Sequence, residues 1–232
     1  MHLDEFKLEA IIFELRYAPA YLFWDRAGSL WKQMVDRHPT LQVKEAQPGK
    51  TVFLLENRAE LEVTMSSLRV VAQYPDKLDE FSSLVSGLTA CSFETLEIAS
   101  LDRIGLRSLY FKAFRSKSEV AAALAACPLF AIPQEKYYDG NPRGLEAAYR
   151  FEGQASLVTM RLRGEGRRID FDPPRGLSQL RPLHEETEGV TLDVDCASSV
   201  TIPVSQFHAT EWISQWHHIV RRDSKKMLEG TR

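Results

Sequence analysis

Several features that mark familiar protein classes are scarce in this sequence. It has only three cysteines, Cys91, Cys127 and Cys196, and none belongs to a Cys-x-x-Cys pair. This scarcity argues against a disulfide framework and a structural zinc site, and it indicates a reducing compartment. No stretch approaches the roughly 18 uninterrupted apolar residues of a membrane span, and the first residues lack the pattern of an export signal. The sequence therefore predicts a cytoplasmic protein without a membrane partner.

Charge of one sign is not in excess either. The chain carries 29 Lys and Arg residues against 32 Asp and Glu residues, a formal net charge of -3. A protein with this balance lacks the overall basic field that attracts proteins to nucleic acid. The sequence signatures of a phosphate-binding loop, a dinucleotide-binding turn, a nucleophile elbow and a zinc protease are also absent. The sequence names no reaction, predicts no cofactor and leaves enzymatic activity an open question.

The chain does contain enough apolar sequence for a substantial core. Its 232 residues are 44% hydrophobic, which suffices for one large domain or two small, closely associated ones. Apolar periodicity predicts a strand, a helix, four short strands and a second helix in the first part. Their predicted ranges are 8–17, 21–38, 41–46, 51–56, 60–65, 68–73 and 78–96.

The same order of elements returns in the second part. After a strand at 102–114, Ser116 and Glu119 form a capping box that opens a short helix. The segment Gly164-Glu165-Gly166 is interpreted as a turn between two strands. The strands predicted after the short helix are 145–152, 156–163, 167–172 and 190–196.

The last helix has the clearest amphipathic pattern in the chain. Ser205 is predicted to cap it and Gly230 to end it. Its neighbouring histidines, His217 and His218, point about 100° apart and so cannot share one metal ion. A half-buried structural histidine is the preferred interpretation.

Two copies of one unit explain this order of elements economically. The dipeptides Leu15-Arg16 and Leu106-Arg107 stand 91 residues apart, the length of one unit. The predicted fold class is α+β, with tandem β-α-β4-α repeats at 1–98 and 99–232. The repeats share one continuous, curved antiparallel sheet and form a single structural unit. We expect the helices on one face of this sheet, which leaves the other face open.

The strand order resembles the tandem helix-grip arrangement of TATA-box-binding-protein-like folds. A sporadically distributed bacterial protein family of unknown function has recurrent motifs that look like three segments of this chain. Those segments are Phe13-Glu14-Leu15-Arg16-Tyr17, Asp102-Arg103-Ile104-Gly105-Leu106-Arg107 and Leu192-Asp193-Val194-Asp195. The resemblance covers nearly the whole chain. It implies a bacterial origin and a link to defence or mobile-element genes, and it transfers no activity.

A charged sheet face is the most informative pattern in the sequence. Alternation along the strands predicts that apolar residues meet the helices and that polar residues from distant strands share the open face. We expect the contacts to a ligand there to be Arg16, Arg107, Arg150, Asp193 and Asp195. Arg16 and Arg107 hold equivalent positions in the two repeats and would offer forked donors to one carboxylate or phosphate. The alternative is a solvated face with ion pairs worth about 0.2 to 1 kcal/mol each.

Two other functions stay open. Asp193 and Asp195 point the same way and would hold a divalent cation in a metal-assisted hydrolase or phosphoryl-transfer enzyme. Asp170 and Asp172 repeat this spacing. The segment 161–168 is interpreted as a basic hairpin that would contact the phosphates of a nucleic acid. Its basic residues are Arg161, Arg163, Arg167 and Arg168.

The tryptophans admit two interpretations. Trp24, Trp31, Trp212 and Trp216 lie on the helices that we expect to cover the sheet. Core packing explains them by default. If the sheet and the helices leave a cavity between them, the same rings would line an apolar pocket.

The leading hypothesis is a non-enzymatic binding or interaction protein of the bacterial cytoplasm. It recognises another protein or a small polar ligand through the open sheet face, and a homodimer is compatible with the sequence. The hypothesis predicts that Arg16→Ala combined with Arg107→Ala leaves the melting temperature nearly unchanged while abolishing partner capture.

Overall fold

The residues that the structure describes fold into a nine-stranded antiparallel sheet, a two-stranded sheet and four α-helices. The structure, a computed structural model, describes residues 1–55, 59–75, 77–130, 145–171 and 183–230. The helices are α1 (Leu22–Arg37), α2 (Leu78–Leu96), α3 (Lys117–Ala125) and α4 (Ala209–Glu229). The strands are β1 (Lys7–Arg16), β2 (Gln42–Gln47), β3 (Lys50–Leu55), β4 (Ala59–Thr64), β5 (Ser67–Gln73), β6 (Ser100–Leu101), β7 (Arg103–Phe114), β8 (Glu146–Glu152), β9 (Ser156–Phe171), β10 (Leu183–Ser198) and β11 (Ile202–Pro203).

Strands from both parts of the chain lie side by side in one sheet. Its order is β2-β3-β4-β5-β1-β7-β10-β9-β8, while β6 and β11 form a separate two-stranded sheet. The antiparallel β1–β7 ladder at the centre joins the two parts, with Glu14 opposite Gly105. The predicted α+β class and antiparallel sheet are therefore confirmed.

One face of the sheet forms the core together with the helices. A row of cross-strand neighbours from β3 to β10 has no exposed surface, and its members are Phe53, Leu61, Val70, Phe13, Leu106 and Cys196. Burying each large apolar side chain of this kind stabilises the fold by about 1.5–3 kcal/mol. The helices α1 and α4 contribute residues spaced three, four or seven apart to the same core, including Phe23, Leu30 and Ile213. Two neighbouring pairs, α1 with α2 and α2 with α4, form the helical layer.

Helix α3 shows why the turn predicted at Gly164-Glu165-Gly166 is wrong. These residues lie inside β9, which pairs with β10 from Ser156 to Phe171 without a break in register. A Cβ atom on Gly164 would lie 3.0 Å from Cγ1 of Val120 and 3.4 Å from Cδ1 of Leu124. Glycine is needed because the helix packs directly against the strand, and not because the chain turns. Among the described residues, three long strands follow α3, whereas four strands separate α1 from α2.

The two predicted helix caps differ in outcome. The Ser116 hydroxyl accepts a hydrogen bond from the Glu119 amide at 3.3 Å, which confirms the cap of α3. The predicted cap of the last helix by Ser205 is wrong, because Ser205 lies in a short 3-10 turn and α4 starts after His208. Gly230 does end α4, with φ of 77°.

Candidate functional site

The open face of the sheet carries a network of charged side chains at its centre. On β9, Met160 and Leu162 are buried in the core, so the alternating residues Thr159 and Arg161 lie on the opposite face. The register then places Asp195 opposite Thr159 and Asp193 opposite Arg161. None of the described α-helices covers this face, since their buried residues all join the core on the other side.

Arg107 and Asp193 form the best-defined ion pair of this network. The Arg107 Nε and Nη2 atoms donate to the two Asp193 carboxylate oxygens at 2.8 and 2.7 Å. The Asp193 side chain is only 11% exposed, whereas the Arg107 side chain is 43% exposed. The hydrogen bonds to Asp193 raise the pKa of Arg107 above its already high usual value. Because Asp193 already occupies the fork of Arg107, this arginine is part of the scaffold of the site.

A third arginine, which the sequence did not single out, links the two central strands to β10. The guanidinium of Arg103 lies over Gly105, with its Cζ atom 3.6 Å from the position that a Cβ would take. There its nitrogens lie 3.3 Å from Glu14 and 3.5 Å from Asp195. The missing side chain at Gly105 makes room for this bridge, a signal that could have pointed to Arg103.

The structure does not bring Arg16 and Arg107 to one ligand position. Arg16 is the ladder partner of Arg103, and Arg107 is the partner of Ile12. The two arginines are thus four residue positions apart along the ladder, about 13 Å at the rise of an extended strand. Arg16 instead forms an exposed ion pair with Glu14 at 2.6 Å.

A shallow polar pocket of about 260 Å³ lies beside the Arg107–Asp193 pair. Its lining residues are Arg107, Thr159, Arg161, Asp193 and Asp195. Asp195 is paired with Arg103, but the exposed Arg161 makes no hydrogen bond or ion pair within the described parts of the chain. Two arginines and two aspartates line the pocket, but Asp195 is paired with Arg103 from outside it, so Arg161 is the lining charge left without a counter-ion among the described residues.

Arg150 lies next to this pocket but does not line it. Its ladder partner is Thr159, which places it on the open face at the edge strand β8. The Arg150 side chain is 64% exposed, and its Nε atom lies 2.9 Å from Glu152. It can reach the pocket only by leaving this exposed pair.

The remaining basic residues of 161–168 do not form a hairpin, because the segment is the middle of β9. Arg163 and Arg167 share the open face with Arg161, whereas Arg168 projects from the other face. Arg163 lies 3.7 Å from Glu165.

Arg167 is held by several neighbours at once. Its Nη1 atom lies 2.6 Å from Glu9, its Nε atom lies 3.0 Å from Glu165, and its guanidinium stacks 3.7 Å above the Phe111 ring. The Arg167 guanidinium is thus already in contact with acidic and aromatic side chains. With Arg163 also paired, this stretch resembles an ion-pair lattice more than a phosphate-binding patch.

The pair Asp193 and Asp195 shares the open face, as expected from its spacing. Both oxygens of Asp193 accept from Arg107, and no group of three or more potential metal ligands occurs among the described residues. The side chain of Asp170 and the whole of Asp172 lie outside the described residues. No observation therefore favours a divalent cation over an arginine at Asp193.

An apolar pocket of about 360 Å³ lies between the sheet and α4. It is lined by residues of β8, β9, β10 and α4, including Phe151, Met160, Cys196 and Met227. The four tryptophans do not line it. Trp212 and Trp216 pack against the core, while Trp24 and Trp31 are exposed. Burial raises the pKa of the Cys196 thiol to about 12, so this group is inert at neutral pH.

His217 matches the predicted half-buried histidine of the last helix. Burial, with smaller effects from Arg221 and His218, lowers its pKa. Its Nδ1 atom and the hydroxyls of Ser108 and Tyr110 are buried without a hydrogen-bond partner among the described residues. None of these groups lines the polar pocket on the open face.

Comparison with known proteins adds no assignment to this geometry. No protein-family model matches the chain, and no curated protein is significantly similar to it in sequence. Among the described helices, none has the length and apolar character required to cross a membrane.

Proposed function

We propose that this protein is a non-enzymatic binding protein that recognises an anionic group through the open face of its sheet. The anionic group is a carboxylate or phosphate, carried by a small polar ligand or by another protein. The observation that carries the proposal is Arg161, an exposed arginine without a partner among the described residues, in a 260 Å³ pocket. An arginine in this state offers all of its donors to a ligand.

The surroundings of Arg161 support an anion rather than a cation. Each carboxylate of the pocket already has an arginine, since Asp193 pairs with Arg107 and Asp195 with Arg103. These pairs also hold the strands and side chains around the pocket in place, which reduces the ordering cost of binding. Thr159 supplies a hydroxyl donor two positions from Arg161 on the same strand face.

The proposal includes the origin of the fold. A duplicated β-α-β4-α unit that has lost one strand in its second copy accounts for the order of the strands around the β1–β7 ladder. Membership of the bacterial family suggested by the Arg16, Arg107 and Asp193 motifs is part of the same proposal. So is a role near defence or mobile-element genes in the bacterial cytoplasm.

The test compares Arg161→Ala with the matched control Arg163→Ala, which changes the same residue type two positions along the same strand face. The probes are inorganic phosphate and a panel of mono- and dicarboxylates and phosphate monoesters, added separately to the purified protein. A probe at about 100 times its dissociation constant stabilises a protein by about 2.7 kcal/mol. For a chain of this size the melting temperature then rises by roughly 5–10 °C.

We expect at least one class of probe to shift the wild type and the Arg163→Ala control but not Arg161→Ala. A capture experiment from bacterial lysate covers protein ligands, with the same two variants. Binding that survives in Arg161→Ala, or the lack of any shift and any captured partner with the wild type, would overturn the proposal.

A further inference from the structure

Helix α1 carries a group of exposed aromatic side chains on its outer side. Tyr21 is 65% exposed, Trp24 61% and Trp31 44%. The Tyr21 and Trp24 rings lie 6.0 Å apart in an edge-to-face arrangement. Val43 of β2, which is 47% exposed, projects from the same face of the sheet because its ladder partner is the buried Phe53. Four of the nine exposed large apolar residues in the described chain thus belong to this region.

These rings lie on the flank of α1 that faces away from the other helices. The opposite flank contacts α2, because Arg26 donates to the Thr95 carbonyl and to Glu97 at 3.0 and 2.7 Å. At 100° per residue, Trp24 projects about 160° and Trp31 about 140° away from Arg26 around the helix axis. Trp24 also lies by the β2–β3 turn, with Nε1 3.9 Å from the Cβ position of Gly49. The aromatic flank therefore lies at the β2 edge, where the described part of the sheet ends.

The centre of the exposed side of α1 has no bulky side chain. The charged residues on either side of it are of opposite sign, so they can pair with those of a second copy. A Cβ atom on Gly28 would meet nothing within 4 Å, so a second helix can approach closely at this point. Asp25 lies one turn before Gly28 and has no partner among the described residues, while Lys32 lies one turn after it in an exposed pair with Asp36. Opposite charges on either side of a central glycine match themselves when the helix is turned end to end.

We propose that α1 is the contact surface of a homodimer, in which the α1 helices of two copies pack antiparallel across Gly28. A twofold axis beside Gly28 and Ser29 brings Asp25 opposite Lys32 of the partner subunit, and the same pair recurs on the other side of the axis. Glycine at the crossing point allows an interaxial distance of about 8 Å, the short end of the range for packed helices. The exposed rings of both copies then cover the polar crossing from its two flanks.

The area supports a transient dimer. Large aromatic side chains bury roughly 150–250 Å² each, so the exposed parts of the three rings contribute on the order of 300 Å² per copy. A biological interface needs about 500 Å² per partner, and Val43 with the polar rim supplies the rest. The exposed side of α1 has no excess of basic residues, which removes the attraction that an anionic membrane surface would provide. This surface lies on the opposite face of the sheet from Arg161, so the dimer and the anion site can be tested separately.

The first test measures the mass of the protein in solution by light scattering and sedimentation, from about 1 to about 200 μM, a range that brackets micromolar dissociation constants. We expect a concentration-dependent dimer for the wild type. Trp24→Asp combined with Trp31→Asp should leave a monomer, whereas the control Val200→Asp, at an exposed apolar residue distant in the chain, should still dimerise. A monomer at all concentrations for the wild type, or a dimer in the double tryptophan variant, would overturn the proposal.

The second test maps the geometry with Gly28→Cys. The three native cysteines are buried, so an oxidant should cross-link only copies that carry the new thiol. Near the twofold axis, the two introduced thiols face each other and should form a disulfide dimer at protein concentrations where Val200→Cys does not.

Charge exchange adds a further criterion. Asp25→Lys and Lys32→Asp should each weaken the dimer at least tenfold, and the two substitutions combined should restore it. Cross-linking equal to that of Val200→Cys, or a combined variant no better than the single ones, would exclude this arrangement.

Discussion

The Arg107–Asp193 pair allows a quantitative prediction about stability. Removing either partner leaves the other without its two charge-assisted hydrogen bonds, and the cost depends on how much water can reach the remaining group. Asp193 is 11% exposed at its side chain and Arg107 is 43% exposed. A carboxylate left alone is therefore poorly solvated, whereas a guanidinium left alone is nearly half in water.

We expect Arg107→Ala to lower the free energy of unfolding by about 2–3 kcal/mol and Asp193→Ala by about 1–2 kcal/mol. These values lie between the 3–5 kcal/mol found for breaking fully buried pairs and the 0–1 kcal/mol found for surface pairs. Urea unfolding at neutral pH and constant ionic strength measures both. The control is Arg161→Ala, which removes an arginine on the same sheet face that has no partner among the described residues. It should change the free energy of unfolding by less than about 0.5 kcal/mol. A larger loss for Asp193→Ala than for Arg107→Ala, or losses below about 1 kcal/mol for both, would refute this account of the pair. The sequence alone predicts a stability-neutral Arg16 and Arg107 double substitution, and the contacts of Arg107 revise that prediction.

Three further predictions concern two glycines and a half-buried histidine. Gly189→Ala should destabilise the protein by about 2–4 kcal/mol in urea unfolding, because a Cβ there would overlap the Phe111 ring and lie 2.7 Å from the Lys112 carbonyl. Gly87→Ala inside α2 should instead stabilise the protein by up to about 1 kcal/mol, because the nearest atom to the new Cβ would lie 3.6 Å away. Burial lowers the pKa of His217, so the unfolded chain binds more protons just below the usual histidine value of about 6.5. The free energy of unfolding should therefore rise with pH between the lowered pKa of His217 and the usual histidine pKa. His217→Leu should flatten this slope in unfolding curves recorded from pH 7 to pH 5.

The sequence predicts the helices and the first strand well because their patterns are local. The predicted helix at 78–96 matches α2, and the predictions at 8–17 and 21–38 differ from β1 and α1 by one residue at each end. Caps and apolar spacing act within a few residues, so a single sequence is enough to read them. The wrong prediction of a turn at Gly164 has a different origin. This glycine is required by the packing of α3, which lies about 40 residues earlier in the chain.

The open face was predictable in its chemistry but not in its pairings. Alternation placed Arg107, Asp193 and Asp195 on one face, and the register confirms that they are neighbours. Which arginine meets which carboxylate depends on the register of three strands, and a shift of one residue would exchange the two faces. Strand β3 shows the same limit. Its apolar run from Val52 to Leu55 has no alternation, so nothing local identifies Phe53 as the core residue instead of Leu54, which is 39% exposed.

The central β1–β7 ladder also matters while the chain is being synthesised. β1 can pair with β5 as soon as residue 73 has emerged, but its other edge needs β7, which is complete only at residue 114. At 5–20 residues per second, ribosomes take about 2–8 s to make the intervening segment. During that interval the nascent chain presents a ten-residue strand with one free edge, the kind of edge from which intermolecular pairing starts. The strand β1, which joins the two parts of the finished protein, is thus the strand whose free edge most needs protection from intermolecular pairing during synthesis.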